Sequence, residues 1–358
     1  MSLPSPTILR TAAFPSLAIL GPVLGALAFA GCKGDALRPI APPGSATPVE
    51  RLSQLGIFEG NPADQIPRPG FTAYDVNASL YADDLRKQRF VHVPKGARIR
   101  VSADPWDIPV GTYLVKTFYV PLDARDPARG KRLVETRFLV KTENGFTAST
   151  YVWNDLQTDA IVSRGDVDVP ISWIDEKGAR RNDRFHVPGT SECASCHEGR
   201  ALAWRSRQLD RPGTYPDGTH DQVAHFLALG IIDRPLPEHA LLSDPFGPAS
   251  LDVRARSYLD ANCGHCHGPG GTAENTGVFW DFESTDPRHR PACRSTAPVD
   301  GREHVLVPGH PEQSEFLARM LGSDSEVQMP RGPTRLPDRA GIALLSQWIS
   351  AMPPLRCR

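Results

Sequence analysis

Apolar and polar residues alternate along residues 51–190, and this spacing predicts β-strands. The segment RLVETRFLVKT shows the alternation most clearly. Every second residue of this segment falls on one face, which we expect to be buried: Val134, Thr136, Phe138 and Val140. Turn sequences such as VPKG and TENG separate the apolar segments, as expected for antiparallel strands. The pattern therefore predicts a β-rich, sandwich-like domain.

From residue 191 onward the apolar spacing changes to that of amphipathic helices. Four segments carry this spacing: DQVAHFLALGII, DVRARSYLDAN, PEQSEFLARMLG and PDRAGIALLSQWISAM. The predicted fold class is α+β and multidomain, with a β-rich N-terminal domain followed by mainly α-helical domains.

Residues 1–32 have the pattern of an export signal, because Arg10 precedes an apolar run that ends in small residues and Cys32. The ending ALAFAGC resembles a bacterial lipobox, in which the cysteine is lipidated. An uncleaved anchor and a plain cleaved signal are the alternatives, although the prolines and glycines of the run disfavour a continuous membrane span. We expect a periplasmic protein that is anchored to the outer membrane through lipidated Cys32.

Composition narrows the possible partners. The 358 residues include 40 Lys and Arg against 41 Asp and Glu, so the chain has no basic surplus of the kind that nucleic-acid-binding proteins carry. Its 35 prolines and 30 glycines favour short elements joined by long structured loops. Residues 33–50, rich in Pro, Gly, Ala and Ser, are expected to form a flexible tether.

Two copies of the motif C-x-x-C-H lie in the second half of the chain. They consist of Cys193, Cys196 and His197 and of Cys263, Cys266 and His267. This motif is the attachment signature of c-type haem. Its two thiols bond to the vinyl groups of the porphyrin, and the imidazole that follows reaches the iron as the proximal ligand. The sequence therefore predicts two covalently bound haem c groups.

A zinc site and a thioredoxin-like redox pair are alternative interpretations of these cysteines. Paired C-x-x-C units that hold zinc are usually about 15–20 residues apart, whereas the two copies here begin 70 residues apart. A redox pair would not need a histidine after both copies. Haem attachment explains both the wide separation of the two copies and the histidine that follows each of them.

Met329, in the segment EVQMPRG, is the expected distal ligand of the second haem. A thioether ligand opposite histidine raises the reduction potential of the iron. Met320 is the alternative, but it shares a helical stripe with Phe316 and Leu317 and is expected to pack in the core. Met352 ends the last predicted helix and is expected to pack as well.

The distal ligand of the first haem is left open by the sequence. No methionine lies between His197 and Met320. The iron would then be bound by a histidine or keep an open position. The candidate histidines are His186, His220, His225 and His239.

Cys293 and Cys357 remain once Cys32 and the motif cysteines are assigned. Two remaining cysteines in an oxidising compartment are expected to form a disulfide. This pairing is inferred by elimination.

Residues 249–352 resemble class I cytochrome c. The resemblance depends on a helix with Tyr258 leading into CGHCH, on the dipeptide MP at residues 329–330 and on a C-terminal helix with Trp348. It implies that the first and last helices pack across each other and that Met329 is the distal ligand. A wider resemblance to a bacterial family of diheme c-type cytochromes depends on YDVNASLYADDLRKQRFVHVP, YVWNDLQTDA and QWISAMPPLRC. It implies a β-rich N-terminal region and electron transfer, and it names no partner.

These observations divide the chain into five predicted segments. They are a signal peptide with lipobox (1–32), a flexible tether (33–50), a β-rich domain (51–190), a first haem-binding segment (191–248) and a class I cytochrome c-like domain (249–358).

The predicted function is that of an exported diheme c-type cytochrome, which transfers single electrons between redox proteins of the periplasm or outer membrane. The alternative is a haem enzyme, peroxidase-like or acting on a small substrate, that uses an open distal position at the first haem. A recognition role of the β-rich domain within a larger redox complex is compatible with either.

Overall fold

Six antiparallel strands form the largest sheet, in the order β1-β2-β3-β4-β5-β6, so that each strand pairs with the next along the chain. The computed structural model describes residues 48–102, 106–189, 201–283, 291–322, 327–332 and 334–357. The predictions for Cys32, for most of the tether and for the first C-x-x-C-H motif lie outside these residues. The strands are β1 Phe71–Tyr74, β2 Arg86–His92, β3 Tyr113–Pro121, β4 Lys131–Thr142, β5 Gly145–Trp153 and β6 Ala160–Val162.

Both faces of this sheet are covered. On one face Val115, Phe138 and Trp153 pack with Leu52 and Leu55 of the 3₁₀ helix Leu52–Leu55. Leu114 and Leu139 belong to the other face and share a core with residues from beyond position 200. Burial on both faces explains why the strands are rich in Val, Phe and Leu throughout.

The alternation predicted for β4 breaks at Val134. Pairing shifts between Phe118–Glu135 and Tyr119–Leu133, so Val134 is the extra residue of a β-bulge. Thr136 and Phe138 are buried as the alternation predicts. Val134 is buried too, but it packs with a different set of residues, from the hairpin described next.

That hairpin consists of β7 (Val167–Ile174) and β8 (Arg180–Val187). Val169, Ile171 and Phe185 pack with Phe118 and Val134 of the sheet. The turn is held by the carboxylate of Asp175, which accepts hydrogen bonds from the backbone amides of Lys177 and Ala179. The hairpin thus covers one end of the second sheet face.

Residues 201–248 cover the other end of that face. Their elements are α1 Ser206–Leu209, β9 Pro212–Tyr215, β10 Gly218–Asp221 and α2 Gln222–Ala228. The rings of Trp204 and Phe226 stack with centroids 5.9 Å apart, and both are buried against Leu114 and Leu139. The helix predicted over DQVAHFLALGII is shorter than expected, because Gly230 adopts a left-handed conformation with φ 69°.

The remaining described residues contain α3 (Leu251–Asn262), β11 (Ser295–Val299), β12 (Arg302–His304), α4 (Glu315–Leu321) and α5 (Arg339–Ser350). A disulfide joins Cys293 to Cys357, with an S–S distance of 2.04 Å. Short 3₁₀ turns, the β11–β12 hairpin and loops make up most of the chain between α3 and α5.

The predicted fold class is therefore wrong for the second half of the chain, which is not mainly α-helical. The described protein is β-rich, and the three helices after residue 249 contain only 12, 7 and 12 residues. Prolines and glycines interrupt helical backbone. Side-chain hydrogen bonds just before the helix also shorten α4. Ser314 adopts an extended conformation, and its hydroxyl group accepts from the amide of Val307 and donates to the carbonyl of His310.

Replacing Trp204 with alanine tests the core that joins residues 201–248 to the sheet. Trp204 is 2% exposed, and removal of a buried aromatic side chain costs about 3–5 kcal/mol of folding free energy. Urea unfolding of Trp204→Ala should show a loss of this size. Leu156→Ala, at a side chain that is 83% exposed, is the control and should leave stability nearly unchanged. Equal stabilities of the two variants would contradict the packing described here.

Candidate haem site

Helices α3 and α5 pack together at an unusually close contact between Tyr258 and Gly341. A Cβ atom added at residue 341 would overlap the phenol ring of Tyr258, so only glycine fits. The Tyr258 hydroxyl donates to Asp338 Oδ2 at 2.8 Å, and Asp338 caps α5 by accepting from the Gly341 amide. This contact fixes the C-terminal end of α3 relative to the start of α5.

The second C-x-x-C-H motif begins where α3 ends. Cys263 is the C-terminal cap residue, and its amide donates to the carbonyl of Leu259 at 2.8 Å. The amides of Cys266 and His267 then donate to the carbonyl of Cys263, at 3.1 and 2.8 Å. The backbone thus turns tightly directly after the helix, which brings the three motif side chains to one side.

These three side chains line a cavity of about 860 Å³, and so does Met329. The volume lies within the range of about 300–1,000 Å³ that is typical of ligand and cofactor pockets. Apolar side chains form much of its wall, including Val278, Trp280, Val305 and Phe316. Protein interiors rarely contain voids much larger than a water molecule, so this cavity is suited to a large, mostly apolar group.

His267 lies in the cavity wall, with the Thr276 hydroxyl near its Nδ1 atom. Burial lowers its pKa, which favours the neutral imidazole. Thr276 Oγ1 lies 3.4 Å from Nδ1 and donates its own proton to the carbonyl of Ala273, so it can accept from Nδ1–H. A neutral imidazole with its proton on Nδ1 has a free lone pair on Nε2, the form that binds metal ions.

The two cysteines of the motif lie in the cavity wall beside this imidazole. Burial raises the pKa of Cys263 to about 12, so its sulfur is a neutral thiol in this environment. Thiols at the edge of an apolar cavity, next to a histidine, are the groups that covalent haem attachment requires.

Both candidate methionines reach the cavity, but their surroundings differ. Met320 is 7% exposed and belongs to the apolar core with Phe316 and Leu344. Met329 is half-buried in a loop, and its amide donates to the carbonyl of Arg319 at 3.1 Å. Packing explains Met320 fully, whereas the position of Met329 in a cavity wall has no such explanation.

The first motif, Cys193, Cys196 and His197, lies outside the described residues. The four histidines considered for its haem are described, and each has a near neighbour. His186 lies 2.9 Å from a carboxylate oxygen of Asp168, His220 lies 3.1 Å from Asp217 and His239 lies 3.3 Å from Asp210, while the ring of His225 stacks on Tyr215. None of the four lines the cavity of the second motif. The distal ligand of the first haem stays open.

Sequence reasoning missed one contribution to this cavity, which comes from the sheet region. Tyr81, in the loop between β1 and β2, lines the cavity, and its amide donates to Asn262 Oδ1 at 2.7 Å. Alternation and motif spacing carry no signal for this contact, because it joins residues 181 positions apart.

Comparisons with protein-family models, curated proteins and solved structures gave no match. Within the described ranges, no group of three or more His, Cys, Asp or Glu side chains is placed to hold a metal ion. Among the same residues, no helix has the length and apolar character needed to cross a membrane.

Replacing Gly341 with alanine tests the contact that positions the motif. Alanine in place of glycine normally stabilises a helix by about 0.5–1 kcal/mol. Here we expect the opposite sign, a loss of about 1–3 kcal/mol, because the added methyl group must displace the Tyr258 ring. Urea unfolding measures the difference.

Gly322→Ala is the matched control, since a Cβ there meets no atom closer than 3.4 Å. Unchanged or increased stability of Gly341→Ala would show that the two helices do not approach as described.

Proposed function

We propose that this chain is an exported diheme c-type cytochrome that transfers single electrons between redox proteins of the periplasm or outer membrane. One observation carries the proposal: Cys263, Cys266, His267 and Met329 all line one cavity of about 860 Å³. Two of these side chains are thiols that could attach a haem, and the other two could bind its iron. His267 and Met329 are 62 positions apart in the sequence. Only the fold can therefore place both side chains at one cavity.

Different residues of the cavity would hold different parts of a haem. Cys263 and Cys266 would attach it by thioether bonds, His267 would bind the iron through Nε2 and Met329 would supply a second iron ligand. The bound group supplies reversible one-electron chemistry. The apolar wall would exclude water from the iron, and exclusion of water together with a thioether ligand favours the ferrous state.

The same proposal assigns Cys193, Cys196 and His197 to a second haem, on the evidence of their motif alone. Export and lipid attachment at Cys32 belong to the proposal as well, and they depend on the pattern of residues 1–32. An electron carrier of this kind needs access to redox partners but no substrate pocket of its own.

Expression of the full chain in a periplasm with haem maturation enzymes tests the proposal. The wild-type protein should keep two haems per chain after denaturation in acid and organic solvent, as measured by pyridine haemochrome absorbance against protein concentration. Cys263→Ser with Cys266→Ser should remove one of the two, and Cys193→Ser with Cys196→Ser should remove the other. Matured wild-type protein without covalent haem would refute the proposal.

Substitution of the methionines tests the assignment of the distal ligand. Met329→Ala should convert one low-spin ferric signal to high spin in low-temperature electron paramagnetic resonance, because the iron loses a strong-field ligand. Met320→Leu, a volume-conserving change in the core, is the control and should leave the spectrum unchanged. If Met320→Leu produces the high-spin signal and Met329→Ala leaves the spectrum unchanged, Met320 is the ligand. A high-spin signal in the wild type that binds cyanide or peroxide would instead favour a haem enzyme.

A further inference from the structure

A loop of the sheet region reaches the segment that follows Met329. Asp83, between β1 and β2, is 2% exposed. Its Oδ1 accepts hydrogen bonds from the backbone amides of Arg335 and Leu336 at 3.1 and 3.0 Å, and its Oδ2 lies 3.0 Å from the Arg335 amide. A buried carboxylate that accepts from two amides forms charge-assisted hydrogen bonds, which are stronger than neutral ones.

The segment that carries Met329 has little local structure to hold it. Its sequence, QMPRGPTRLP, combines three prolines and a glycine, and the described part of it belongs to no helix or strand. Its position therefore depends on contacts with other parts of the chain. On the N-terminal side, the guanidinium group of Arg319 donates to the carbonyl of Val327 at 3.1 Å, and the Arg319 carbonyl accepts from Met329. On the C-terminal side, Asp83 accepts from the amides of Arg335 and Leu336.

The loop around Asp83 is itself anchored at the other side of the cavity. The amide of Tyr81 donates to Asn262 Oδ1 at 2.7 Å, and Asn262 Nδ2 donates to the Tyr258 carbonyl at 2.9 Å. Asn262 directly precedes Cys263. Tyr81 and Asp83 thus lie two positions apart in one loop. Tyr81 contacts Asn262, the residue before the haem motif, and Asp83 contacts the segment after Met329.

We propose that Asp83 is a positioning residue, which holds the loop of Met329 at a fixed distance from the haem motif and so keeps methionine as the distal iron ligand. This inference rests on the proposed function. It also assigns a role to the sheet region, since the distal ligand would depend on a residue from the loop between its first two strands. A purely structural role of Asp83 would affect stability without affecting ligation of the iron.

The test compares full-length, haem-loaded Asp83→Ala and Asp83→Asn with the wild type. Two readouts report on ligation: the near-red charge-transfer band of methionine-bound ferric iron, and the affinity of the ferric protein for added imidazole, which competes with methionine. We expect Asp83→Ala to weaken the band and to bind imidazole about tenfold or more tightly, the factor that corresponds to loss of one charge-assisted hydrogen bond. Asp83→Asn, which keeps one acceptor oxygen, should give a smaller change.

Asp84→Ala is the matched control, because Asp84 is the next residue, is exposed and shares the left-handed conformation of Asp83. Its spectrum and imidazole affinity should equal those of the wild type. If Asp83→Ala does not accumulate as folded protein, the ligation of iron in Asp83→Asn alone tests the inference.

Wild-type-like ligation in folded, haem-loaded Asp83 variants would overturn the inference and leave the proposed function intact. Absence of the methionine band from the wild type would contradict the proposed ligand set itself. The two failures are thus distinguishable.

Discussion

The contact between Tyr258 and Gly341 is the constraint on which the geometry of the cavity depends. Because residue 341 has no side chain, α5 can lie against the phenol ring, and the Tyr258 hydroxyl group can reach Asp338 at the start of α5. At the far ends of the same helices Trp348 donates to Asp252 at 2.9 Å. Two contacts at opposite ends fix both the distance and the angle between the helices. The turn that carries Cys263 follows from the end of α3, so its place in the cavity wall is set by this packing.

The rest of the cavity wall combines loops with residues of α4 such as Phe316 and Met320, and its stability has other sources. The described residues between α3 and α4 form short turns and a small hairpin. The disulfide between Cys293 and Cys357 ties this region to the end of the chain, and a covalent loop closure reduces the conformational entropy of the unfolded state. The Cys293 amide also donates to the carbonyl of Leu306 at 2.8 Å, beside the cavity residue Val305. The disulfide and this hydrogen bond therefore hold a part of the wall that contains no long helix.

The sheet and the cavity are physically connected. Residues 201–248 share a core with one sheet face, and the loop between β1 and β2 reaches both Asn262 and the segment after Met329. A cavity whose wall combines a helix end, a methionine loop and a loop from the sheet depends on the packing of all three. Residues on the two sides of the predicted boundary at residue 190 are therefore in contact.

The sequence alone determined the features that depend on neighbouring residues. The alternation in β4 reflects the two-residue repeat of a strand, and the C-x-x-C-H spacing reflects one turn of backbone. Once the other five cysteines were assigned, Cys293 and Cys357 remained as a pair. Met329 was singled out because its segment indicated no packing role, and its assignment as an iron ligand stays a prediction. Only the tertiary structure decided the bulge at Val134, the short α4, the presence of Tyr81 at the cavity and the contact of Asp83 with the segment after Met329. The bulge and the contacts of Tyr81 and Asp83 depend on partners distant in sequence. The short α4 depends on nearer partners that a helical repeat does not predict, because the Ser314 hydroxyl bonds to Val307 and His310 and Ser314 is extended. Local periodicity cannot report such partners, and for that reason it overestimated the helical content of the second half of the chain.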